Sequence, residues 1–208
     1  MRLYLLRHER RAGHDRTFHS PLLPDGLMRA ADLASAIETE VGDTQCYIYS
    51  SPFVRCLQTI APYARRNSKK VRREYALYER ITAAEKDCAD NVVNFYPNNF
   101  IHDIERTNPL HALLDLSYES RLSQNNITWD ETVSHVACRA RPFCDDILRT
   151  HGHENCAVIL VSHMSIVNTI LNRDDGAAFP MGGLVRVDLE STEKGGEWSY
   201  TPLNFTAA

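Results

Sequence analysis

Short apolar runs alternate along this 208-residue chain with longer stretches of helical periodicity. The first run, Leu3 to Leu6, stops abruptly at Arg7 and His8. A polar loop from Glu9 to Ser20 follows, then a turn and a helix on which Leu27, Ala30, Ala31, Ala34 and Ile37 recur at helical spacing. Gly42 and Asp43 end that helix, and Cys46 to Ser51 reads as a second buried strand. Pro52 is placed to open the next helix at its first turn. A third short strand near Val71 to Arg73 leads to Glu79, behind the apolar pair Leu77 and Tyr78. From 83 to 128 the pattern breaks down. This stretch is Asn-rich, carries Phe95, Tyr96, Phe100 and Tyr118, allows a short helix around Pro109 to Leu116, and reads as an insertion lying over one edge of the sheet.

Order returns with Asp130 as a predicted N-cap. An apolar stripe of Val133, Val136, Ala137, Ala140, Phe143, Ile147 and Leu148 follows, interrupted by Pro142, which implies a kink or a broken pair of helices. Ala157 to Val161 forms a strand that delivers Ser162 and His163 to a further helix. Gly182 and Gly183 precede a last strand from Leu184 to Glu190, and the tail is polar. Strands alternating with helices predict one domain over 1–208, a three-layer α/β/α sandwich with a mainly parallel central sheet.

Composition narrows the classes without choosing one. The formal net charge of -4 favours neither nucleic acid nor an anionic membrane as a partner. The basic run Arg65, Arg66, Lys69, Lys70, Arg72 and Arg73 reads as a solvated face. Six scattered cysteines have neither C-x-x-C nor zinc spacing, so a disulfide framework is not expected. His151, His153 and Cys156 lie close in sequence but lack a fourth ligand, and neither a metal nor a cofactor is expected. No apolar stretch has the length of a membrane span or the form of a signal peptide, so a soluble, cytoplasmic protein is the expectation. The oligomeric state is open.

The chemistry concentrates at strand ends. Open α/β sheets bind ligands beyond the carboxyl ends of their strands, and there the chain places Arg7 with His8, and later His163. Arg55 falls in the first turn of the helix after strand two, where free N–H groups and a forked cation favour an anion. Glu79 has apolar neighbours, which tend to raise a carboxyl pKa and suit a general acid. The pattern points to a phosphoryl group. No C-x5-R, P-loop, G-x-G-x-x-G or G-x-S-x-G motif competes with that reading.

Taken in order, LLRHE, SSPFVRCLQT, LYE and LVSHMS resemble the histidine phosphatase superfamily, also called phosphoglycerate mutase-like. LLPDGLMRAADLA and WDETVSHVACRAR resemble two of its helical segments. The resemblance covers the chain apart from the middle insertion and implies a phosphoglycerate mutase-like fold. It also implies a metal-independent phosphatase that hydrolyses a phosphomonoester through phosphohistidine on His8. Arg7, Arg55 and His163 would hold the phosphoryl oxygens, and Glu79 would serve as acid and then base. The residue after His8 is Glu9 where the family ordinarily has Gly. A carboxylate facing a phosphate dianion repels it, so Glu9 points away or pairs with an Arg. Alternatively a one-residue deletion aligns Glu9 and Arg10 with an H-G-E-R form, making Arg10 a further phosphate contact. His14, six places after His8 where mutase members carry Asn, completes the expected phosphate-binding set. The substrate would be a phosphorylated small molecule or phosphoprotein. The alternatives are a catalytically weak binding domain in a larger complex and a phosphoglycerate-type mutase.

Overall fold

The computed structural model of the chain describes residues 1–13, 17–80, 82, 108–123, 126, 130–173, 176–189 and 198–203. His14, Cys88 and residues 83–107 therefore lie outside the described residues.

A six-stranded sheet forms the middle layer. Its strands are β1 (Arg2–Arg7), β2 (Gln45–Ser50), β3 (Val71–Arg73), β4 (Cys156–Ser162), β5 (Leu184–Leu189) and β6 (Trp198–Leu203), in the spatial order β3-β2-β4-β1-β5-β6. The four strands β3, β2, β4 and β1 run parallel, and β5 and β6 extend the sheet antiparallel. The sheet is thus mainly parallel, as the alternating pattern predicts. Strand β6 is a correction: the polar tail was expected to carry no strand, yet it returns as a hairpin partner of β5. Its Pro202 fits an outermost strand, where a missing N–H costs no ladder bond on the open side.

Helices α1 (Pro24–Val41) and α2 (Val54–Arg66) cover one face, while α3 (Val133–His151) and α4 (Met164–Ile170) cover the other. Alternate side chains of each central strand serve opposite layers. Tyr4, Leu6, Ile159 and Val161 join the α1/α2 core, and Leu3, Leu5, Val158 and Leu160 join the α3/α4 core. Among the described residues no helix is long and apolar enough to cross a membrane, and the described cysteines are free.

Helix boundaries and faces depart from the sequence reading in four places. On α1 the buried stripe is Gly26, Ala30, Leu33, Ala34, Ile37 and Val41, while Leu27 faces solvent. Helix α2 begins at Val54 with Phe53 at the N-cap, two residues beyond Pro52. Helix α3 is capped by Thr132, whose hydroxyl accepts from His135 N; Asp130, the expected cap, instead takes a positive φ of 63°. Pro142 sits inside α3 without dividing it. Of the expected insertion, 108–123 is described. A 3-10 turn at Pro109–Leu113 carries Leu110 and Leu113 into the core, and Asp115 N bonds Val71 O on the edge strand β3.

Candidate active site

Strand register decides what meets at the carboxyl edge. Arg7 pairs with Ser162, and Ser50 with both Val161 and Arg73, so the four parallel strands end level. The residues that follow, His8, Ser51, Glu74 and His163, are thereby set side by side, and all are buried.

His8 is 2% exposed, and its ring lies edge-on to that of His163, with centroids 5.2 Å apart. Its Nδ1 lies 2.7 Å from the carbonyl oxygen of Glu9. That carbonyl can only accept, so it selects the tautomer with Nδ1 protonated and leaves the Nε2 lone pair uncommitted. Burial, reinforced by Arg55 and His163, holds the His8 pKa well below its ordinary 6.5, so the imidazole is neutral at pH 7.

Arg55, the second residue of α2, is fully buried. Its Nη1 donates to Thr17 O at 2.8 Å, and its guanidinium lies over the Phe53 ring. Its Nη2 lies 3.6 Å from Glu79 Oε2 and 3.4 Å from His163 Nδ1. His163 bridges the cluster, with Nδ1 3.1 Å from Glu79 Oε2 and Nε2 2.8 Å from Ser51 Oγ. Burial pushes its pKa down to about 4; Glu79 pulls the other way, and Arg55 adds to the fall. Ser165 and the Arg80 N–H donate to the second Glu79 oxygen.

The expectation of a raised Glu79 pKa is overturned. Burial does push it up, but His163, Arg55 and His8 outweigh burial and hold it well below 4.5. The free site therefore has an ionised Glu79 facing neutral histidines and a buried guanidinium. Arg7 is half-buried, donates from Nη1 to Phe179 O and feels the charge of Glu79. It borders an open cleft of about 450 Å³, whose walls include Arg10, Arg29, Met164, Phe179 and Met181. Arg10 stays on that outer wall, ion-paired with Asp25, and does not join the cluster round His8.

Glu9 is turned away from the cluster. It is 2% exposed, with Oε2 3.2 Å from Arg29 Nε and 3.3 Å from the Arg10 N–H. The space it fills exists because residue 182 is glycine. Gly182 has φ +70° and donates to the carbonyls of both Arg7 and His8.

Two residue sets escaped the sequence reading. Ser51 follows a strand end like the other site residues, which was the available signal. The second set is Glu131, just before the N-cap of α3, with Arg139 in the second turn of that helix; the pairing of the two is made in space and leaves no periodic signal in the sequence. Three ligand atoms from His8, Glu79 and His163, or from His151, Glu154 and Cys156, lie within 4.8 Å of one another, close enough to hold a metal ion. In the first group the Arg55 guanidinium already lies 3.6 Å from Glu79 Oε2 and supplies positive charge there.

A mainly parallel sheet in this order, with helices on both faces, is the fold of the phosphoglycerate mutase-like phosphatases. The model of the histidine phosphatase superfamily (branch 1) matches residues 3–191, and the chain belongs to that superfamily. Among solved structures, a mycobacterial glucosyl-3-phosphoglycerate phosphatase in complex with inorganic phosphate is similar at 16% identity. Its TM-score is 0.65, over 96% of this chain and 95% of that one. An ecdysone phosphate phosphatase from Bombix mori, bound to tungstate, is similar at 13% identity, with TM-score 0.61 over 100% and 95% of the two chains. A phosphoserine phosphatase mutant from Entamoeba histolytica, in complex with phosphoserine, is similar at 18% identity, with TM-score 0.58 over 96% and 94%. No curated protein matches the chain.

Proposed function

We propose that the protein is a metal-independent phosphomonoesterase that works through a phosphohistidine on His8. The observation that carries this reading is the Glu9 carbonyl at 2.7 Å from His8 Nδ1, which leaves Nε2 as a nucleophile beside Arg55 and His163. Nε2 attacks phosphorus in line, and the ester P–O bond breaks. Arg7 and Arg55 as cations, with His163 as a hydrogen-bond donor, meet the charge on the three equatorial oxygens, the electrostatic work that fixed donors and cations perform in phosphoryl transfer.

Glu79 supplies the proton. In the free site it is ionised, but a bound phosphate dianion reverses that balance. It draws Arg55 and His163 to itself and repels the carboxylate, which raises the Glu79 pKa. Protonated Glu79 then donates to the departing oxygen. In the second half-reaction its carboxylate takes a proton from water, the water oxygen attacks phosphorus, the P–N bond breaks and His8 leaves neutral. The Glu9 carboxylate is paired with Arg29, so the repulsion it would exert on a phosphate dianion is offset by that cation. The outer cleft with Arg7, Arg10 and the apolar Met164 and Phe179 is assigned to the leaving group of a phosphorylated small molecule.

The test is p-nitrophenyl phosphate hydrolysis with EDTA present, wild type against His8→Ala, with acid-labile phosphoenzyme trapped by rapid quench. EDTA-resistant turnover and label that both vanish in His8→Ala support the proposal. Turnover that survives in His8→Ala, or is lost to EDTA, overturns it. Transfer of label to an added phosphosugar acceptor in place of water would identify a mutase.

A further inference from the structure

The backbone that carries Glu79 has little regular structure to hold it. A 3-10 turn ends at Leu77, and Tyr78 and Glu79 follow in extended or irregular chain. Beyond the bonds of that turn, the carbonyls of Ala76, Leu77 and Tyr78 are held from other elements. Arg139 Nη1 donates to Ala76 O at 2.6 Å and Nη2 to Tyr78 O at 2.9 Å. Ser162, at the end of β4, donates to the intervening Leu77 O at 2.7 Å. Three successive carbonyls immediately before Glu79 are thus tied to α3 and β4.

Arg139 is itself immobilised. Glu131 accepts from its Nε and Nη2 at 2.7 and 2.8 Å, a bidentate pair with side chains only 7% and 1% exposed. Tyr78 closes the circle, its hydroxyl donating to Glu131 Oε1 at 2.8 Å and its ring lying 3.7 Å under the guanidinium. All five guanidinium hydrogens lie on a rigid fork, so fixing one edge (Nε and Nη2) on Glu131 sets where the others point. A lysine in this place could reach one acceptor, but could not hold two carbonyls in register.

We infer that Arg139, clamped by Glu131, is a positioning residue for the general-acid step: it sets the Glu79 carboxyl against the departing oxygen without touching substrate. The inference rests on the role proposed above for Glu79. Misplacing a catalytic group by about 1 Å can cost on the order of 100-fold, and only a step that needs the proton feels the loss.

The test compares two substrates of nearly equal shape. Phenyl phosphate releases a phenoxide that needs a proton, its pKa being about 10 like that of tyrosine, whereas the p-nitrophenolate of p-nitrophenyl phosphate leaves unaided. Because kcat/KM reports the phosphorylation step, it isolates the acid from the later water attack. Glu79→Gln should lower kcat/KM by about 100-fold or more for phenyl phosphate and by less than about 10-fold for p-nitrophenyl phosphate. Arg139→Lys should show the same selectivity, and Tyr78→Phe a weaker form of it if Arg139→Lys does not fold. Combined with Glu79→Gln, either variant should add no further loss. Equal losses on both substrates, or losses that add to those of Glu79→Gln, overturn the inference and leave Arg139 as a structural residue. If Glu79→Gln is itself unselective, its role as the acid fails, and the inference with it.

Discussion

Replacing Gly182 with alanine should be costly for two reasons that the structure separates. The first is backbone conformation. At φ +70° an L-residue is strained by about 1–2 kcal/mol. The second is Glu9. An alanine Cβ would stand 2.5 Å from Glu9 Cδ and closer still to Oε1, where real contacts need about 3.5 Å. A free surface carboxylate would swing aside at little cost. This one is 2% exposed and fixed by Arg29 and the Arg10 N–H, so moving it displaces a buried carboxylate from both partners. Overpacking of that kind costs about 1–3 kcal/mol. The sum is about 2–5 kcal/mol, a fall in Tm of roughly 5–15 °C for a chain of this length. Truncating Glu9 removes the second cost and keeps the first. Urea unfolding of wild type, Gly182→Ala, Glu9→Ala and the double variant forms a cycle, and the predicted coupling is about 1–3 kcal/mol favouring the double variant. If Gly182→Ala costs the same with and without Glu9, to within about 0.5 kcal/mol, the carboxylate is not seated where the argument requires it.

Gly26→Ala reverses the usual sign for a glycine in a helix. The gain of about 1 kcal/mol in propensity is overwhelmed because the new Cβ would press on the Arg10 backbone, which Leu23 N holds at 2.9 Å; melting should show a net loss of about 2 kcal/mol. Ser51→Ala removes the 2.8 Å partner of His163 Nε2 and should lower kcat on p-nitrophenyl phosphate by about 10-fold, steady-state kinetics being the check. Glu74→Gln puts an amide where a fully buried carboxylate accepts from Ala76 N, Tyr118, Ser120 and Arg121 N, and its NH2 group then faces donors; accelerated hydrogen exchange over 118–122 is expected. Stability should fall with acid. His163 titrates at about 4 when folded and 6.5 when unfolded, so between those values the unfolded chain binds more protons, and stability drops as pH falls, by about 1.4 kcal/mol per unit. His8, lowered likewise, adds to the slope, and Glu79 adds a further loss below pH 4.5. His163→Gln should flatten the dependence of urea-unfolding free energy on pH in that window, and an unchanged slope contradicts the assignment.

Much of this protein is local and therefore legible in one dimension. Apolar runs that stop at Arg7, Ser51 and His163 mark strands whose far ends face a ligand, because a buried strand does not end on cations and imidazoles for the sake of packing. The order of those endings, with helices between them, predicts the sheet and the membership in the histidine phosphatase superfamily that the match over 3–191 shows. Strand β6 escaped because an outer strand needs no apolar run of its own; its partner β5 supplies the ladder. Tertiary structure alone decided the charge states. Hydrophobic neighbours in sequence predict a raised Glu79 pKa, and burial does act that way, but His163 after β4, Arg55 on α2 and His8 after β1 outweigh it. It also decided where Glu9 points, since the direction of a side chain after a strand end depends on Gly182, 173 positions away in the chain, and on Arg29. Periodicity records which face of an element is buried; electrostatics depends on distances through space, and those exist only once the four strand ends stand level.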